Sequence, residues 1–276
     1  VEGDSPIGNL NEQSALQRPG GQPVVRLTPV PAVRRGRRQR WLPLVAVGLV
    51  IVAALEWRAG NLDAFSLSND EGAYLMWAWL VHSGHPLYSE TVSVSAPAFI
   101  ALLDLAYDLI GVSVVSGRLV VLGCLALLLA TLTASARQFD RGIGAAVGGW
   151  FAGAFAAAAF SVAPLAFYLS RMAMGEIPAV ALAALSVWLA QVGMRRRRLT
   201  WLALSGVAFS LSLLTKAMNP LIVLPIGWLI LVGSGLNPLH SLPTTWGRRW
   251  WVRFAVWALA AAAPALVCLV IYDPAA

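Results

Sequence analysis

Charge is what this sequence has least of. Only 12% of its 276 residues are Asp, Glu, Lys or Arg, about half the share of an ordinary soluble domain. With 58% apolar residues and a mean hydropathy of +0.71, that shortage excludes a soluble globular chain. Lysine is almost absent: Lys216 is the single one among 20 basic residues. An arginine bias of this kind fits a GC-rich bacterial genome. The two cysteines, Cys124 and Cys268, each sit inside an apolar run, where they read as small buried hydrophobes. Neither a disulfide framework nor a cysteine zinc site follows from them. No phosphate-cradling glycine loop, nucleophile elbow or zinc-protease helix is present.

What the sequence does have is long apolar runs. Residues 1–40 are polar and rich in Gly, Pro and Arg, and they lack the apolar core of a secretory signal peptide. They read as a disordered tail ending in the basic cluster Arg34 to Arg40, which abuts Trp41 and places this end in the cytoplasm. From there the apolar segments 41–57, 115–136, 143–163, 176–194, 199–215, 220–234 and 251–272 predict seven membrane spans in an all-α, multi-pass protein. Threading tests that count. From an inside N-terminus the cytoplasmic breaks carry Arg137 and Arg141, then Arg195 to Arg198, then Arg248, Arg249 and Arg253. The opposite side receives segment 58–114, loop 164–175, turn 216–219 and Asp273, with most of the acidic residues. A net charge of +7 therefore reports topology, with membrane lipid as the partner and no nucleic acid.

The first outer loop, 58–114, is long and semi-apolar. Residues 71–83 predict a helix lying on the membrane surface, ended by Gly84-His85-Pro86. A second helix over 97–110 carries Asp104 and Asp108 on one face. Asn69-Asp70-Glu71 opens the first helix, and Ser68 with Glu71 fits a capping box. A carboxylate held there also suits a general base or a metal ligand. Glu176 stands at the outer end of the fourth predicted span, where an ionisable residue is a functional candidate. Arg171, just ahead of it, is placed to pair with it or with a lipid phosphate, and Arg118 and Lys216 fall on the same side, each a snorkelling cation alone, together suited to an anionic lipid headgroup. His82, His85 and His240 form no metal site, because His240 falls on the other side. Gly148-Gly149 and Ala156–Ala159 read as close-packing helix surfaces.

Taken in order, these segments resemble the polyprenyl-phosphate-dependent glycosyltransferases of the GT-C superfamily, nearest the protein O-mannosyltransferase-like and lipid A aminoarabinose transferase-like branch. The resemblance rests on Asp70-Glu71 with Tyr74, Gly84-His85-Pro86-Leu87-Tyr88, Ala96-Pro97, Gly111-Val112-Ser113 before Arg118-Leu119, and Leu214-Thr215-Lys216. It covers about Trp41 to Ala276. The family more often has Pro-Pro at Ala96-Pro97 and Asp at Glu176. Its members usually have more spans, so the chain reads as the N-terminal part of a longer protein or as a shortened relative.

The resemblance implies a transferase of the plasma (inner) membrane. Its outer loop would move a sugar from a polyprenyl-phosphate donor to a cell-envelope lipid, glycan or protein acceptor. In it Asp70 would be the general base, supported by Glu71. Glu176 would orient the acceptor or, with Asp70, bind a divalent cation such as Mg or Mn. Arg118 and Lys216 would neutralise the leaving phosphate, with Arg171, Tyr74 and Tyr88 also contacting substrate. The alternative is a non-catalytic membrane protein that binds polyprenyl phosphate or scaffolds a partner.

Overall fold

The computed structural model describes residues 42–63, 68–91, 93, 95–139, 145–217, 220–232 and 250–272. The expected tail 1–40, Arg141, His240, Arg248, Arg249 and Asp273 lie outside the described residues. Among the described residues the structure is helical, with no strand beyond one isolated bridge between Leu87 and Thr91.

Local chemistry sets the helix ends. After α1 (Leu42–Ala59), Ser68 caps α2 (Asn69–His82): its Oγ accepts the Glu71 N–H at 3.1 Å, and Asp70 and Glu71 sit in the first turn, where acids favour the helix dipole. Pro97 opens α3 (Pro97–Ile110), where a missing N–H costs nothing, and Gly111 at φ 96° ends it. Next come α4 (Val114–Phe139), α5 (Ala145–Val162) and the short α6 (Pro164–Leu169), again opened by proline. Arg197, left-handed at φ 53°, stops α7 (Glu176–Arg196) and turns the chain into α8 (Leu199–Thr215). A 3-10 turn, Pro220–Ile222, leads into α9 (Val223–Val232), and α10 (Trp250–Ile271) follows.

The described part of every apolar run predicted as a span is thus helical. Among the described residues, three helices are long and apolar enough to cross a membrane: Val114–Gln138, Glu176–Arg196 and Trp250–Ile271. Gly149–Val162, Leu199–Thr215 and Pro220–Ile230 are shorter apolar helices. Large apolar side chains such as Phe151, Phe155, Leu259 and Val270 remain exposed on these helices, as suits a chain whose outer solvent is lipid. The two helices predicted in the loop are present as α2 and α3.

α7 and α8 pack against each other, α8 also takes α10, and α4 lies between α7 and α5, with α1 against α5 and α4. Paired hydroxyls link the centre of α7 to α8: Ser186 Oγ donates to Ser205 O and Ser205 Oγ to Ser186 O, both at 2.8 Å. Ser212 Oγ donates to Ala179 O at 2.8 Å. Without a hydrophobic drive between helices in lipid, such bonds and close packing hold them together. The α2–α3 pair joins the array through α3 on α4, burying Leu75, Phe99, Leu103, Val121 and Leu125 together.

Polar contacts sort the helix ends into two groups. At one end, Arg58 near the close of α1 donates to Ser170 Oγ and to Ser161 O, each at 2.6 Å, while Arg118 near the start of α4 reaches α2. Tyr272, just past α10, meets Tyr88 edge-on at 5.4 Å. At the other end, Arg137 lies over Trp150 at 3.6 Å and close to Arg195, Arg196 over Trp201 at 5.3 Å, and Arg253 Nη1 donates to Met194 Sδ at 3.6 Å. The segments predicted to share the outer side are therefore gathered at one end, and the described arginines of the predicted inner breaks at the other.

Candidate functional site

The acidic end of the array is built around the start of α2. Capping by Ser68 fixes the first turn, so Asp70 and Glu71 leave the helix in different directions. Asp70 is exposed, whereas Glu71 is fully buried. A buried carboxylate survives only if paired and hydrogen-bonded, and Glu71 is both. Arg118 grips it with two parallel bonds, Nε to Oε1 at 2.8 Å and Nη2 to Oε2 at 2.7 Å, and the Ala173 N–H adds a third to Oε1 at 2.7 Å. Arg118 is fully buried too, and its Nη1 donates to Leu62 O. This clamp ties α2, α4, the end of α1 and the α6–α7 connection at one point.

That closure corrects one expectation. The family resemblance implies that Arg118 faces the leaving phosphate, yet it has no exposed surface and its fork is committed to Glu71. Its charge stabilises a buried acid, and its position holds the helix that carries Asp70.

The second acid lies just beyond the same connection. Glu176 starts α7, and its Oε1 accepts from Lys216 Nζ at the end of α8. The pair is possible because Gly175 lets the two helix ends close: a Cβ there would sit 3.2 Å from Thr215 O and 3.7 Å from Tyr74 Oη. Tyr74 thus has its hydroxyl beside Gly175, with its ring edge-on to Phe99 at 5.3 Å and to Trp77 at 5.8 Å. Glu176 Oε2 is buried with no hydrogen-bond partner. An unsatisfied carboxylate oxygen of this kind costs free energy until a donor reaches it.

Arg171 is partly exposed and donates through Nη2 to Gly60 O at 2.8 Å and Asn61 O at 3.3 Å, carbonyls just past α1. It stands near Arg58, and both guanidinium groups lie over Phe167, at 5.6 and 5.1 Å. Arg58 was not singled out in the sequence, although a lone arginine ending an apolar run is a legible sign of an interfacial anchor. Tyr88 serves the loop: its hydroxyl donates to Ser95 O at 2.6 Å, its N–H to Thr91 O at 2.9 Å, and its backbone is left-handed at φ 71°. Burial first, then the neighbouring Tyr272 and Cys268, push its phenol above the usual range, so it remains a neutral donor.

The structure thus places the Glu71–Arg118 clamp and the Glu176–Lys216 pair at the same end of the array, with Tyr74 packed beside Gly175, Asp70 exposed and Arg171 at the neighbouring helix end. Asp70 and Glu176, read as metal ligands, belong to no group of three His, Cys, Asp or Glu ligand atoms among the described residues. Glu176 already holds an ammonium, which repels a divalent cation, so these donors do not fit a metal. What the arrangement offers chemically is an exposed carboxylate on a rigid support, beside neutralised ion pairs and an unpartnered acceptor oxygen. Comparison with protein-family models, with curated proteins and with solved structures produced no match.

Proposed function

We propose that the chain is a multi-pass membrane glycosyltransferase of the GT-C kind. It would move a sugar from a polyprenyl-phosphate donor to a hydroxylated lipid, glycan or protein acceptor at the outer face of the plasma membrane. The observation that carries this reading is the division of labour at the start of α2, where Glu71 is buried and clamped while its neighbour Asp70 is exposed. A general base needs a fixed position within reach of the proton it takes, and the clamp supplies fixity without using Asp70.

In this reading the acceptor oxygen attacks the anomeric carbon and its proton passes to an Asp70 oxygen. The bond to the phosphate oxygen breaks, and the polyprenyl phosphate leaves with the electron pair. Arg171, partly exposed at the same end, is the cation best placed for the phosphate, in place of the buried Arg118. Glu176, partly exposed and paired with Lys216, is the second carboxylate placed to orient the acceptor. The spans are α1, α4, α5, α7, α8, α9 and α10, with the N-terminus inside and α2 and α3 lying in the outer interface.

The test is transfer of labelled sugar from polyprenyl-phosphate donors by the chain in lipid, beside Asp70→Asn. Loss of the base should lower turnover by about 10²–10⁴-fold with donor binding retained, since Asp70 touches none of the clamp. Equal turnover by the variant would remove Asp70 from the chemistry. Donor binding without turnover by the unaltered chain would favour the non-catalytic, lipid-binding alternative.

A further inference from the structure

A second set of side chains, away from the Glu71–Arg118 clamp, is brought together where α2 ends against α3. His82 Nδ1 lies 3.0 Å from Asp104 Oδ1 and 3.6 Å from Asp108 Oδ1, and one ligand atom from each of the three residues falls within 4.8 Å of the others. We propose that His82, Asp104 and Asp108 form a binding site for one divalent transition-metal ion of the zinc type, which staples α2 to α3.

The donor set is an imidazole and two carboxylates contributed by two helices, which distinguishes it from a solvated acidic patch. Metal–ligand bonds of about 2.0–2.2 Å require donor atoms about 3.0–3.6 Å apart around the ion, and the two His82 separations fall there. Asp104 and Asp108 are one helical turn apart on α3, so their like charges oppose each other. Among the described residues, His82 is the only basic side chain within ion-pair distance of either. A divalent ion would neutralise both carboxylates. Mixed nitrogen and oxygen donors favour zinc, cobalt or manganese over calcium and magnesium, which take oxygen ligands.

Access and orientation are also suitable. The side chains retain 29%, 31% and 64% exposure for His82, Asp104 and Asp108, so an ion and its remaining waters can enter. Tyr107 packs edge-on against the imidazole at 5.9 Å and holds the ring in place. In the metal-free protein Nδ1 hydrogen-bonds Asp104; on binding, any Nδ1 proton is released to solvent, and the lone pair coordinates. His85 is kept apart, its Nδ1 being 3.0 Å from Glu90 Oε2.

The experiment is calorimetric titration of zinc into the full chain, untagged and in lipid nanodiscs, with Co²⁺ absorption reporting coordination. One ion per chain should bind, and the bound Co²⁺ should show visible bands of low-symmetry nitrogen and oxygen coordination. Asp108→Asn, at the most exposed ligand and thus harmless to folding, and His82→Ala should each weaken binding by at least about tenfold. His85→Ala should leave it unchanged. Unaltered affinity in both ligand variants, or loss in His85→Ala as large as in His82→Ala, would mean adventitious surface binding only and overturn the site. Asp70→Asn should bind zinc normally, so failure here and failure of the transferase reading are distinguishable.

Discussion

At the scale of single residues, the consequential pair is Glu71 with Arg118, because both charges are wholly buried. Taking two ions out of water is costly, and their attraction offsets the cost only with close geometry and further hydrogen bonds. Here there are two parallel bonds plus the Ala173 N–H and Leu62 O. Removing one partner leaves an uncompensated buried charge. Glu71→Leu or Arg118→Met alone should therefore destabilise the protein by about 3–5 kcal/mol, whereas the double variant should lose much less than the sum. Thermal unfolding of the four proteins in one detergent measures this; additive losses would show that the ions are not coupled. The sequence marks each residue but not their partnership. They are 47 positions apart, and no periodicity joins the start of a loop helix to the start of a span. Hence Arg118 reads from sequence as a phosphate ligand, and Glu176 and Lys216, 40 apart, as independent ions.

At the scale of elements, helix existence and ends are legible because the signals are local. Apolar runs, a serine cap at Ser68, proline starts at Pro97 and Pro164, and arginines at the closing ends all act within a few residues. Packing faces are less legible. The small-residue stretches of α5 read as contact surfaces, and Ala157 is indeed fully buried, with Gly153 close against Thr133. The tightest approach, however, is at Gly206 in α8, which no sequence pattern distinguishes from the other glycines. A Cβ there would collide with the Trp257 carbonyl and lie 2.9 Å from Ala261 N, both backbone atoms of α10. Backbone cannot rotate aside, so α10 would have to move. Gly206→Ala should then cost about 1–3 kcal/mol through overpacking, despite alanine's better helix propensity. Gly227→Ala in α9, with open space around its Cβ, should be neutral or slightly stabilising. Unfolding midpoints of the two variants decide the matter, and equal shifts would refute the close approach.

At the scale of the whole molecule, the array is electrically polarised. Arg137, Arg195 and Arg253 mark one end, and the Glu71–Arg118 clamp marks the other. Positive residues near span ends remain on the cytoplasmic side, so this polarity predicts which end faces out. Ser89, beside Tyr88 in the α2–α3 connection, and Thr200, beside Trp201 at the start of α8, are both exposed and lie at opposite ends. Neither carries charge, so replacing them leaves the topological signal intact. With Cys124 and Cys268 changed to serine, Ser89→Cys should react with a membrane-impermeant maleimide on intact cells. Thr200→Cys should react only after the membrane is opened. The reversed pattern would put Asp70 on the cytoplasmic face and move the proposed transfer with it. Reaction of both from outside would mean that an even number of crossings separates them, and one of α4, α5 and α7 would then not span.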